Sequence, residues 1–312
     1  MLSNAIRQLW LPGIQSTPAA PRARLADWVS SGQYYFNGVV GPDKVAFILK
    51  PGMSLQGLFA GEVSRFATAA LETASQIEQH RDLPRSLGWL IIQSYYSAYF
   101  AAHALLRTTG TACTQFDGKA CSKIDELANA LGMLNAPFKA GSYRCKYDVR
   151  SGVVEAQKPG NKGVHEDFWR VFCAFTRDSS KTILQSGSLP AQQAQEAASR
   201  IDDLTNVLVL QGCNGGNWLS MIRNEVNYRH TFDAWFPDWP KKSYCDGLFQ
   251  IQKGWRLEPE AMRLADTDDL KRFVRACTFI VALCRSTLSE LVKRSPTKNS
   301  VLHSTASRFG AR

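Results

Sequence analysis

The strongest constraint on this chain is a helical period sustained over long stretches. Leu270, Phe273, Cys277, Cys284, Leu288 and Leu291 recur at steps of three, four or seven. Ile92, Tyr96, Tyr99, His103 and Leu106 alternate steps of four and three. Apolar side chains at this spacing form one face of an α-helix, which must be buried against something else. A third such segment, from Glu62 to His80, carries Phe66, Ala70, Ala74 and Ile77 on one face. Several helices of this kind in 312 residues predict a mainly α protein with enough chain for a core that needs no disulfide staples.

Helix boundaries follow from local chemistry. Pro84 suits a first helical turn, and that helix is expected to run through Arg107 and stop near Gly110. Ser122 to Leu134 is expected to be a short helix, and His165 to Gln185 and Pro190 to Leu210 longer ones. The loop from Gly212 to Asn217 opens another helix that reaches His230, with Asn217 as a candidate cap or, with Gly215 and Gly216, a candidate anion contact. Asp268 and Asp269 favour the start of the last long helix, which Lys293, Arg294 and Pro296 close. Residues 232 to 255 are aromatic and interrupted by proline, and no regular helix is expected there. The polar tail, 295 to 312, is expected to be disordered.

Two regions break the helical pattern. Residues 1 to 60 carry Pro12, Pro18 and Pro21, then short Tyr-, Phe- and Val-rich runs separated by Gly-Pro and Pro-Gly turns. A small irregular or β element is expected there. Between about 110 and 163, Tyr143, Cys145, Tyr147 and Val149 alternate with polar residues, and Val153-Val154 is a candidate hairpin partner. The helical domain is therefore read as residues 61 to 294, with an insertion at 110 to 163.

Composition excludes several classes. The net charge of +10 makes contact with a polyanion plausible without establishing it. Eight cysteines show no Cys-x-x-Cys pair and no zinc-finger spacing, so reduced thiols in a cytoplasmic compartment are expected. No apolar run is long enough to span a membrane. The first 26 residues lack acids and faintly resemble a transit peptide, but no removable leader is expected. Phosphate-loop, Gly-x-Ser-x-Gly and His-Glu-x-x-His signatures are missing, and with five histidines spread along the chain no metal site or cofactor is expected.

Two local patterns remain. Ser94 to Leu106 mixes bulky rings with Ala and Ser, a pattern that lets a neighbouring helix approach closely. Arg223 and His230 are seven apart, so on a continuous helix they return to one face about 10 Å apart along the axis. Asn227 lies between them, and Leu219, Ile222 and Val226 form the apolar face beside that stripe. Taken alone, the first pattern is core packing and the second a solvated face.

Together the two patterns resemble the HEPN (higher eukaryote and prokaryote nucleotide-binding) domain family. Residues 94 to 106 align without a gap to its Ala-Tyr-Tyr-Ala-x-Phe-His-Ala-Ala-Arg-Ala-Leu-Leu helix, departing at Tyr99, Phe100 and His103. Arg223, Asn224 and His230 fit its Arg-x4–6-His ribonuclease motif at the longest spacing. The resemblance implies a helical bundle that dimerises, with the Arg–His motifs of two copies facing one cleft. It implies metal-independent RNA cleavage, possible roles as a toxin or phage-defence effector, and an antitoxin or defence-system partner protein.

Arg223, His230 and Asn224 are the candidate catalytic residues. Asn227, Lys241, Lys242, Trp235 and Trp239 are candidate RNA contacts, because rings beside cations stack bases and meet phosphates. The alternatives are a catalytically inactive HEPN-like module that binds a nucleotide or protein, and a dimerising scaffold.

Overall fold

The computed structural model describes residues 1–18, 22, 24–79, 87–236, 241–296 and 300–309. In chain order its elements are α1 (Leu2–Ala5), α2 (Leu25–Ser31), β1 (Tyr34–Phe36), β2 (Lys44–Leu49), α3 (Gln56–Gln79), α4 (Leu87–Thr108), β3 (Thr111–Phe116), α5 (Gly118–Ala130), β4 (Gly141–Asp148), β5 (Val153–Gln157), α6 (Val164–Gln185), α7 (Ala191–Leu208), α8 (Trp218–Arg229), α9 (Lys242–Lys253), α10 (Asp269–Lys293) and α11 (Val301–Arg308). The protein is mostly helical, as the periodicity predicts, and carries one small antiparallel sheet.

Helix α4 is the axis of the bundle. It packs on α3 and α10 along most of its length and on α8 nearer its start. Its small residues do what the sequence predicts: Ala98, Ala101 and Ala102 are fully buried, and the Ser97 hydroxyl donates to the Ala70 carbonyl across the α3–α4 contact at 2.8 Å. Asp268 caps α10 by accepting from the Lys271 N–H at 2.9 Å, and Asp117 does the same for α5 through Ala120. Asp117 places the start of α5 four residues earlier than the periodicity alone suggests.

The two non-helical regions are one structure. The sheet runs β1-β2-β5-β4-β3, all antiparallel, so strands from the N-terminal element and from the insertion share a ladder. Val45, Phe47, Val154, Ala156, Cys145 and Tyr147 point inward. Alternation then puts Arg144, Lys146, Glu155 and Gln157 on the outer face. The inner face reaches the bundle where Phe59 of α3 stacks on Tyr147, with ring centres 6.0 Å apart.

Two expectations are corrected. Lys242 to Lys253 is a regular helix, because the prolines of the aromatic segment all precede Lys241 and Leu248 and Trp255 give the following stretch a buried side. The tail is not wholly irregular either. Val301 to Arg308 is helical, capped by Ser300, and Leu302 and Ala306 are buried where α11 meets α3. Pro84 lies outside the described residues. No disulfide links any of the eight cysteines, and no described helix is long and apolar enough to cross a membrane.

Candidate active site

Arg223 comes from the middle of α8, on the side that faces α4 and α6. It is 5% exposed, so it lies within the buried face rather than on the margin that the heptad spacing suggests. Three tyrosine rings surround the guanidinium. Its Cζ is 4.9 Å from the centre of Tyr95 and 5.9 Å from those of Tyr96 and Tyr228. Such cation–π contacts stabilise a charge without neutralising it, by about 0.5–2 kcal/mol each. Nη1 donates a long bond to the Tyr228 hydroxyl at 3.5 Å, and Nε has no acceptor. Among the described residues no carboxylate pairs with Arg223; Glu225, two positions on, is taken by Arg229 at 2.6 Å.

A second histidine stands at this site, His165, in the first turn of α6. Its Nδ1 is 2.9 Å from the Tyr95 hydroxyl, and that hydroxyl also accepts from Trp169 Nε1 at 2.9 Å. Burial raises the Tyr95 pKa, so the phenol keeps its proton, and its hydroxyl and His165 Nδ1 share a hydrogen bond whose donor is set by the imidazole tautomer. The His165 pKa is lowered to about 4, by burial first and then by the Arg223 charge. The imidazole is therefore neutral at pH 7. No sequence pattern marks His165: the Gly163-Val164-His165 entry into α6 is ordinary, and only the tertiary fold brings it to Arg223.

His230 ends α8. It occupies the C-cap in left-handed backbone, with φ +55°, and its side chain is exposed. The helical stripe therefore stops one residue short of it. Three of the four described non-glycine residues with positive φ lie together here, at His230, Phe232 and Asp233. Backbone of this kind costs a non-glycine residue roughly 1–2 kcal/mol and concentrates at functional sites. The strained turn is held by Trp235, whose Nε1 donates to the Val226 carbonyl at 2.7 Å. Trp235 also lies on Gly88, where a Cβ would come within 2.7 Å of the indole, while the Gly88 N–H donates to Ala234 at 2.7 Å. The His230 and Trp235 rings are 6.4 Å apart.

The remaining predicted residues distribute as follows. Asn224 is exposed beside Arg223, and Asn227 is half-buried on the stripe. Trp235 acts as a strut, so the open rings near His230 are Tyr228, Phe236 and Trp89, at 69%, 61% and 54% exposure. Lys241 and Lys242 are exposed at the start of α9, and Trp239 lies outside the described residues. Asn217 precedes α8 without a side-chain cap bond. Gly216 is needed for another reason: φ is +85°, and a Cβ would collide with Cys173 on α6. That close approach sets α8 against α6 and brings Arg223 to His165. Among the described residues no three of His, Cys, Asp and Glu gather as a metal site.

No protein-family model, no curated protein and no solved structure matches this chain.

Proposed function

We propose that the chain is an endoribonuclease of HEPN type, with Arg223 and His230 as catalytic residues. The observation that carries this reading is the buried arginine with no counter-ion among the described residues. A buried charge is costly to fold around unless it is paired, and tyrosine faces only partly offset that cost. A guanidinium held this way, with Nε free, is set up for an anion that arrives later, and a phosphodiester fits its planar fork.

In this mechanism the exposed His230 moves the protons. The ribose 2′-O–H loses its proton to one imidazole, and the 2′-oxygen bonds to the adjacent phosphorus. The P–O5′ bond breaks, and the departing 5′-oxygen takes a proton from a second imidazole. The products are a 2′,3′-cyclic phosphate and a 5′-hydroxyl. Arg223 stabilises the charge that builds on the non-bridging oxygens. Neutral His165 can hydrogen-bond the substrate through Nε2, and the exposed Asn224 can orient the strand. Tyr228, Phe236 and Trp89 offer faces on which unpaired bases stack. The second imidazole comes from His230 of another copy of the chain, so the active unit is a homodimer.

The test is cleavage of single-stranded RNA in excess EDTA. Cleavage should persist, leave 2′,3′-cyclic ends and spare DNA of the same sequence, which lacks the attacking hydroxyl. Arg223→Ala or His230→Ala should each slow it by at least about 100-fold. Activity that vanishes with chelation and returns with Mg²⁺, or equal cutting of DNA, rejects the mechanism.

A further inference from the structure

We infer that the hollow between the outer face of the sheet and α6 is a second, separate site, and that it binds a small oligophosphate. Its volume is about 460 Å³, within the range of small-ligand sites. Four cations line it: Arg144 and Lys146 from β4, Lys158 just after β5, and Arg170 from α6. The lining holds one carboxylate, Asp178.

The four cations are not equally engaged. Lys158 pairs with Asp43 at 3.2 Å, and Arg170 donates to the Pro159 carbonyl at 3.1 Å while standing 3.9 Å from Glu166. Arg144 and Lys146 make no ion pair among the described residues. They alternate along β4, so both project from the same face of the sheet about 7 Å apart. Lys146 faces Glu155 across the β4–β5 ladder, and Arg144 faces neutral Gln157. Like charges gathered in a concavity focus a positive field, and a multiply charged anion relieves their repulsion.

The neighbouring hollow decides between a compact ligand and a long polyanion. It is larger, about 650 Å³, and shares Leu9, Thr109 and Lys146 with the first. There, however, Asp148 and Glu155 balance Lys146 and Arg150. The positive field therefore ends at the boundary, and a strand running onward would meet carboxylates. Two or three linked phosphates fit inside the first hollow, with the Thr111 hydroxyl alongside. Leu9, Val171 and Phe175 form an apolar wall that suits the base of a nucleoside phosphate.

This site is independent of the proposed active site. On α6, Ala174 of the hollow lies nine positions after His165, half a helical rotation away, so the two sites use opposite sides of the helix.

The experiment is calorimetric titration of the full chain with sodium tripolyphosphate, with a nucleoside triphosphate and with a twelve-nucleotide RNA, in EDTA at low ionic strength. Tripolyphosphate and the nucleoside triphosphate should both bind. Arg144→Gln with Lys146→Gln should weaken both at least tenfold, and R223M should leave both unchanged. Tighter binding of the nucleoside triphosphate identifies a nucleotide as the source of the phosphates. Equal binding identifies the phosphate chain alone. The proposal is overturned if neither binds at millimolar concentration, if the double variant binds as well as wild type, or if the RNA displaces tripolyphosphate at lower concentration than the nucleoside triphosphate does. Loss of RNA cleavage in R223M bears only on the active site.

Discussion

Among the described residues two arginines are buried, and they are built differently. Arg107, 2% exposed, is fully partnered. Its Nε pairs with Glu62, Nη2 donates to the Cys113 carbonyl at 3.2 Å, and Nη1 donates to His103 Nδ1 at 2.9 Å. Glu62 in turn accepts from the Leu25 N–H at 3.0 Å and meets Arg65 at 3.3 Å. Arg107 lies over one ring, that of Phe66, beside its close acceptors, whereas Arg223 has three tyrosine rings and a single long bond to the Tyr228 hydroxyl. Each has a histidine at its side, and both histidines are held below their ordinary pKa by burial and the neighbouring guanidinium. One network locks α2, α3, α4 and β3 together. The other leaves a charge that no carboxylate among the described residues pairs. A buried cation is a structural element when its acceptors come from the fold, and a binding element when they do not.

The largest expected effect comes from breaking the closed network. Glu62→Ala strands Arg107 without its carboxylate and should cost about 3–5 kcal/mol, read as a lower midpoint in urea unfolding. The matching change at the open site, Arg223→Met, removes a charge that no described carboxylate pairs. Its unfolding midpoint should stay level or rise, while cleavage of RNA falls at least about 100-fold. If R223M destabilises the protein as much as E62A does, the two arginines are alike and the contrast fails.

Titration sharpens the same comparison at smaller scale. The folded pKa of His165, about 4, lies below the unfolded value near 6.5. The unfolded chain therefore binds more protons between those limits, and stability present above about pH 6.5 is lost as pH falls toward 4. His103, fully buried, adds to the loss in the same direction. His165→Gln should shallow the slope of stability against pH in that window. The change should be smaller than for His103→Gln, since the half-open ring of His165 is partly solvated.

The smallest effect is the most specific. Glycine prefers the left-handed C-cap that His230 occupies, so His230→Gly should raise stability by about 0.5–1 kcal/mol while abolishing cleavage. A fall in stability would mean that the imidazole holds the turn together, and would remove the catalytic assignment.

Much of the helical architecture is legible in the sequence because burial imposes a period. The stripe of α10 appears in the fold as read, as does the alternation of β4, whereas α4 is buried nearly all round, with Tyr96 and Tyr99 of its stripe half-buried and Tyr95 and Ala98 beside them fully buried. Helix α9 was hidden by the prolines just before it, which dominate any local reading. The sheet was hidden for another reason: β2 and β5 are each recognisable, but nothing in either says that the other is its partner. The site divides in the same way. Arg223 and His230 stand out by spacing, whereas His165 reaches Arg223 only because Gly216 lets α8 lie close on α6. The burial of Arg223 was equally invisible, since an arginine beside an apolar face reads as solvated.

The shared sheet also has a consequence in time. Strand β2 ends at Leu49, and its partner β5 begins at Val153, about a hundred residues later. At roughly 5–20 residues per second of synthesis, the outer edge of β2 leaves the ribosome some 5–20 s before the strand that covers it. Helices α3 and α4 emerge in that interval and can pair with each other at once, since their contacts are near in sequence. The β1–β2 hairpin must wait with one side unprotected, and pairing with any other exposed strand competes with folding until β5 arrives.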